Sequence, residues 1–132
     1  MRTRALLAIS AGALTLGAVA APASAGQRSG TVDGAHWYIG SGNAYGEVEW
    51  DDRNSSGDSD RLYLHDDLIP AGYSVKMTVE QGSFKDTVYA SNGGSDNIRI
   101  PGFSKGEKAK FKACARDNGE TVTCRPWTTV TE

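Results

Sequence analysis

The 132-residue sequence predicts an all-β protein: a single antiparallel β-sandwich, Ig-like or barrel-like, with seven to eight short strands and one disulfide. Short segments alternate apolar and polar residues, as half-buried strands do. Clusters of Gly, Pro, Asn and Asp interrupt these segments at spacings of roughly 8–12 residues, which is typical of sandwiches and barrels. After residue 25, no 11-residue window shows the apolar period of a helix.

The N-terminal segment predicts export. Met1–Arg4 is basic, an apolar run follows over residues 5–21, and Ala23-Ser24-Ala25 has the small-x-small pattern of a cleavage site. The run is short and rich in Ala and Gly, so it favours a cleaved secretory signal over a membrane anchor. We therefore expect a signal peptide at 1–25, a flexible lead-in at 26–34 and the β-sandwich domain at 35–132.

The charge balance of the chain limits the classes of partner that we expect it to bind. Without Arg2 and Arg4, residues 26–132 carry 12 basic and 16 acidic residues, a formal charge of −4. This balance argues against non-specific binding of nucleic acid. We expect a secreted monomer with no membrane contact after signal cleavage.

The first predicted strands are 35–39, 44–50 and 61–66. Val48 and Trp50 share one face of the second, and Leu62 and Leu64 share one face of the third, so these four side chains are predicted core residues. The intervening residues 51–60 are polar throughout and predict a loop.

The remaining strands are predicted at 73–81, 86–90, 97–100, 108–116 and 121–130. The first of these has the cleanest alternation in the chain. Pro126 interrupts the last, which suits an edge strand or a bulge because proline donates no backbone hydrogen bond.

The two cysteines, Cys114 and Cys124, predict the disulfide, because paired cysteines are typical of exported chains. An Asn118-Gly119 turn would place Cys114 opposite Thr123 rather than Cys124. The disulfide therefore requires a bulge or a longer loop. Since Cys114 alternates in phase with the lysines, the bridge is predicted to lie near the outer surface.

The pattern Leu62-x-Leu64-x-Asp66, the turn at Gly72, the strand 73–79 and the ending Phe111-x-Ala113-Cys114…Cys124-x-x-Trp127 resemble small, uncharacterised exported β-sandwich proteins of actinobacteria. The resemblance spans residues 62–127. It implies an exported β-sandwich and implies no activity.

The polar loop is a candidate calcium site, with oxygen ligands from Asp51, Asp52, Asn54, Asp58 and Asp60. Counted from Asp52, the twelfth position is Tyr63, where an EF-hand loop needs a bidentate glutamate. A solvated surface loop is the simpler alternative, and no other cofactor is expected.

Aromatic residues suggest a second candidate site. Trp37, Tyr38 and Tyr45 lie close together in the sequence and are the predicted ligand-binding residues, because exposed rings suit sugars and protein partners. A basic row on one strand, from Lys108 to Arg116, could dock an acidic partner or a cell-wall polyanion, or could serve solubility alone.

Catalysis has little support, and no catalytic residue is predicted. His65 and Asp66 are strand neighbours and so point to opposite faces, which leaves Asp67 as the nearest carboxylate on the face of His65. The sequence favours a non-catalytic binding module for an extracellular protein or glycan. The alternatives are an inhibitor of a secreted protease or glycosidase, acting through loop 51–60 or 92–95, and a small hydrolase.

Overall fold

The computed structural model describes residues 30–41, 45–52, 60–67 and 72–132. The predicted signal peptide and residues 26–29 lie outside this part of the chain. Within it the chain forms nine strands. They are β1 (His36–Ile39), β2 (Gly46–Asp51), β3 (Arg61–Asp66), β4 (Tyr73–Gln81), β5 (Phe84–Ser91), β6 (Ser95–Arg99), β7 (Lys108–Asp117), β8 (Glu120–Cys124) and β9 (Thr128–Thr131).

The strands form two antiparallel sheets. The four-stranded sheet has the order β1-β2-β3-β6, and the five-stranded sheet has the order β5-β4-β7, with β8 and β9 both pairing with the far side of β7. The chain crosses between the sheets at β3–β4, β5–β6 and β6–β7, as in Greek-key sandwiches. The predicted all-β sandwich is confirmed.

The core lies between the two sheets and follows the predicted alternation. Val48, Trp50, Leu62 and Leu64 are all fully buried. The indole of Trp50 packs edge-to-face on Phe103, with ring centroids 5.6 Å apart. Burial of such large apolar side chains is the main stabilising term for a domain of this size.

The strand count exceeds the predicted seven to eight because the last predicted strand is split. β8 ends at Cys124 and β9 begins at Thr128, with Pro126 between them. Proline has no N–H to donate to the ladder, so pairing with β7 stops and resumes beyond it. Its position on an edge of the five-stranded sheet is the one that the sequence predicts.

The β7–β8 hairpin contains the predicted disulfide between Cys114 and Cys124. The turn at Asn118-Gly119 has positive φ at both residues, 45° and 88°, as a two-residue type I′ turn requires. Pairing follows that turn as far as Arg116, and then the register shifts. The shift leaves Val122 unpaired, and this bulge places Cys114 opposite Cys124. Both cysteines are half-buried on the outer side of the sheet, as predicted.

Part of the predicted lead-in is tied to the sandwich. The N–H of Thr31 donates to the carbonyl of Thr131 at 2.6 Å, and the N–H of Gly34 donates to the carbonyl of Trp50 at 2.8 Å. Residues 31 and 34 therefore have backbone partners in the domain.

Candidate functional site

A cleft opens on the side of the sandwich where two edge strands come together. β1 is the edge of the four-stranded sheet, and β8 is an edge strand of the five-stranded sheet. The cleft has a volume of about 420 Å³, which lies within the range of small-ligand sites. Its lining includes Tyr38, Tyr45, Val122, Arg125 and Pro126. We call it the Tyr38–Arg125 cleft.

Arg125 spans the cleft from one sheet to the other. Its Nη1 donates to the backbone carbonyl of Tyr38 at 3.1 Å, and its Nε donates to Oγ1 of Thr128 at 3.1 Å. The backbone N–H of Arg125 also donates to the carbonyl of Ala113 at 2.8 Å. The guanidinium is therefore held in place by both sheets, and it offers a fixed positive charge at the cleft.

Tyr38 provides an exposed ring at the cleft. It alternates with the buried Ile39, so its side chain lies on the outer side of β1 and is 44% exposed. A tyrosine presents a flat apolar face and a hydroxyl that both donates and accepts hydrogen bonds. This combination suits the rings and hydroxyl groups of a sugar.

Tyr45 is half-buried, and its ring lies over Gly40. A Cβ at position 40 would come within 2.4 Å of Cδ2 of Tyr45, and Gly40 has a φ of 91°. Only glycine satisfies both conditions without strain. The missing side chain at position 40 therefore leaves room for the ring of Tyr45 at the cleft, where its centroid lies 6.3 Å from that of the Tyr73 ring.

Trp37, the third predicted ligand-binding residue, does not line the cleft. Its ring packs against Phe111 with centroids 5.2 Å apart, and its side chain is half-buried against the core. The alternation of β1 places Trp37 on the same side as Ile39, so the two sheets cover it. Of the three predicted ligand-binding residues, the cleft contains Tyr38 and Tyr45.

Arg125 and Val122 were not predicted as partners of these tyrosines. Arg125 lies 87 residues after Tyr38 along the chain. The two come together because β8 pairs with β7 at the edge of one sheet and that sheet packs against the sheet that contains β1. Arg125 and Tyr38 carry no shared motif, so no local pattern could have linked them.

The predicted calcium ligands are only partly brought together. Asp52 and Asp60 have carboxylate oxygens within 4.8 Å of each other and of Glu132, and Asp60 is only 2% exposed. Asp51 alternates with the buried Trp50 and so lies on the outer face of β2. Asn54 and Asp58 lie outside the described residues. Glu132 was not predicted because it is distant in sequence.

The two histidines lie on the outer face of the four-stranded sheet. Nδ1 of His36 is 3.4 Å from Oε2 of Glu47, and Nε2 of His65 is 3.3 Å from Oε2 of Glu49. The carboxylate beside His65 therefore comes from the neighbouring strand, although Asp67 was expected. Cross-strand partners of this kind cannot be read from the sequence of one strand.

Asp66 and Asp67 have different surroundings. Asp66 is buried, and its Oδ2 accepts a hydrogen bond from the N–H of Gly93 at 3.2 Å. The N–H of Asp66 donates to the carbonyl of Gly94 at 2.9 Å, so β3 anchors the exposed turn of residues 92–95. The pKa of Asp67 is raised, mainly because the carboxyl is partly buried and secondly because the Glu47 carboxylate lies nearby.

Comparisons with protein-family models, with curated proteins and with solved structures found no match. In the part of the chain that the structure describes, no helix is long and apolar enough to cross a membrane.

Proposed function

We propose that this protein is an exported, non-catalytic binding module that binds an extracellular glycan in the Tyr38–Arg125 cleft. The observation that carries the proposal is the convergence of two tyrosine rings and a doubly anchored arginine at one concave surface. Sugar recognition uses flat ring faces together with a few fixed polar groups. A glycan fits this lining better than a protein loop does, because the cleft is shallow and largely polar.

A binding role also agrees with where the titratable groups lie. His36 and His65 contact carboxylates on the outer face of the four-stranded sheet, and none of these four side chains lines the cleft, although Glu47 is the cross-strand neighbour of Tyr38. General acid–base chemistry needs such a pair within hydrogen-bonding reach of a bound substrate. The cleft itself contributes a guanidinium and two phenols, which suit binding and orientation. The disulfide is compatible with the oxidising environment of an exported protein.

Titration calorimetry with cellohexaose, maltohexaose and chitohexaose tests the proposal. We expect the protein to bind at least one of the three, and Tyr38→Ala to weaken that binding by about tenfold through loss of the exposed ring. The matched control is Tyr89→Ala, since Tyr89 is also an exposed tyrosine, 49% accessible, but lies outside the cleft lining. Equal affinities for the Tyr38 variant and the unaltered protein, or no binding of any hexasaccharide, would contradict the proposal.

Inhibition of a secreted hydrolase is a second candidate, favoured by the turn of residues 92–95. This turn is exposed, and Asp66 of β3 anchors it through two hydrogen bonds: its carboxylate accepts one from the N–H of Gly93, and its N–H donates the other to the carbonyl of Gly94. Rigid exposed loops bind with a small loss of conformational entropy. A panel of secreted proteases and glycosidases, each assayed with micromolar protein, separates the two candidates. Inhibition that Asn92→Ala abolishes would favour this one.

A further inference from the structure

The outer face of the five-stranded sheet is strongly basic, although residues 26–132 carry a net negative charge. The side chains that alternate with the buried residues of β4, β5 and β7 point to this face. They include a single carboxylate, Glu80, against six cations: Lys76, Lys85, Lys108, Lys110, Lys112 and Arg116. We call this surface the basic face.

The cations form a nearly regular row. Lys108, Lys110, Lys112 and Arg116 follow β7 in two-residue steps, which are about 7 Å each in an antiparallel strand. Cys114 interrupts the row, but Lys76 lies directly opposite Cys114 on β4 and supplies a charge beside the gap. The row is therefore continuous along the length of the sheet.

Glu80 neutralises only part of this charge. Its two carboxylate oxygens each lie 3.0 Å from an amine, one from Lys85 and the other from Lys110. Among the described residues, Lys76 and Lys112 have no ion pair with a carboxylate. Their charges are therefore available to a partner.

Aromatic rings hold several of the cations in place. The amine of Lys76 and the guanidinium of Arg116 lie 5.6 and 5.5 Å from the ring centroid of Tyr89, and the amine of Lys110 lies 4.8 Å from that of Trp127. Cation–π contacts of this kind restrict flexible side chains. Three of the six cations, Lys76, Lys110 and Arg116, are thereby restricted before any partner binds.

From this row we propose that the basic face docks a linear acidic polysaccharide, one with carboxylates repeating along an extended chain. The cations follow one strand, β7, over nine residues from Lys108 to Arg116, so the face suits an extended chain better than a compact ligand. Charge complementarity over several successive residues supplies the attraction. None of the six cations lines the Tyr38–Arg125 cleft, although the two surfaces adjoin at the disulfide, since Cys124 lines the cleft and Cys114 lies within the row. The proposal does not depend on the glycan proposed for the cleft.

Two other polyanions fit the face less well. Single-stranded nucleic acid binds through successive bases stacked on aromatic side chains, whereas the exposed rings of Tyr89 and Trp127 lie on different segments and each contacts a cation of this chain. A protein partner usually inserts an apolar anchor into a pocket, and the outward side chains of this sheet are mainly charged or polar.

Biolayer interferometry on immobilised alginate, a polyuronate, tests the proposal. We expect binding that weakens steeply as salt is raised, because each neutralised charge releases counterions. Lys76→Glu/Lys112→Glu should weaken binding by at least about tenfold. The matched control is Lys105→Glu, which makes the same kind of charge change in the connection before β7, outside the strands of the face.

A gain-of-binding variant makes the test independent of folding defects. Glu80→Gln removes the carboxylate of this face and frees Lys85 and Lys110, so we expect alginate to bind about threefold more tightly. A decrease or no change with Glu80→Gln would overturn the proposal. Equal losses for Lys105→Glu and the double variant, or tighter binding of poly-L-glutamate or oligo-dT than of alginate, would also overturn it.

Discussion

Glu80 is the residue at which the stability of the outer surface and the binding proposed for the basic face are linked. Hydrogen bonds from Lys110 and then Lys85 lower the pKa of its carboxyl below the ordinary value of 4.5. The charged form is therefore favoured in the folded protein. The same pairing holds two amines that would otherwise be available to a ligand on the basic face.

This pKa shift gives a pH-dependent prediction. A carboxyl whose pKa is lowered on folding stabilises the protein above its unfolded pKa, and the contribution is lost as the pH falls through the lower folded value. The melting temperature of the unaltered protein should therefore exceed that of Glu80→Gln at pH 7, and the difference should shrink below pH 4.5. Melting curves recorded across this range check the sign. A difference that grows on acidification would contradict it.

At the scale of the element, the disulfide closes the β7–β8 hairpin. It joins residues 10 apart, and closing a loop of this length contributes roughly 2–3 kcal/mol in the chain-entropy treatment. We expect Cys114→Ser/Cys124→Ser to lower the melting temperature by on the order of 10 °C. Reduction of the unaltered protein should reproduce the shift and leave the double variant unaffected. An unchanged transition in the variant would refute this role.

The bulge at Val122 gives a prediction about register. Deleting Val122 removes the unpaired residue, so that Cys124 falls opposite Cys114 in the register set by the two-residue turn. The deletion variant should form the disulfide and keep its melting temperature within a few degrees, because later residues retain their partners. Deleting Thr129 is the contrasting control, since it shifts the buried Val130 by one residue and should unfold the edge. Free thiols in the Val122 deletion would show that the bulge is required.

At the scale of the whole molecule, the fold places three carboxylates from different segments close together, those of Asp52, Asp60 and Glu132. Three carboxylates this close repel one another unless a cation or hydrogen bonds compensate. The calcium hypothesis predicts that millimolar calcium raises the melting temperature relative to a chelator, and that Asp52→Asn removes the difference. Identical transitions with calcium and with chelator would end the hypothesis.

The fold could largely be predicted from the sequence because β-structure leaves local signals. The alternation in β4 and β7 identified the buried faces. The Asn118-Gly119 turn together with Cys114 and Cys124 required a bulge or a longer loop, and the hairpin contains the bulge. These signals act over a few residues, so they are legible without any knowledge of the tertiary structure.

The sites were less predictable because they depend on which strands become neighbours. Arg125 reaches Tyr38, and Glu132 joins Asp52, only after the two sheets pack. Trp37 was predicted to bind a ligand, but its ring packs against Phe111 of the other sheet. The sequence of β1 alone does not show that this sheet covers the ring. The alternation of apolar and polar residues predicts which face of a strand a residue occupies. Which residues cover that face depends on how the strands and sheets are arranged.

The most direct test of the central claim, that this sandwich carries two separate binding surfaces, is an amide chemical-shift titration of the 15N-labelled protein. We predict that the hexasaccharide that binds will shift the amides of Tyr38 and Arg125 in the cleft. Alginate should instead shift those of Lys76, Tyr89 and Lys112 on the basic face. Shifts from both ligands at one common surface, or none at saturating concentrations, would contradict the account.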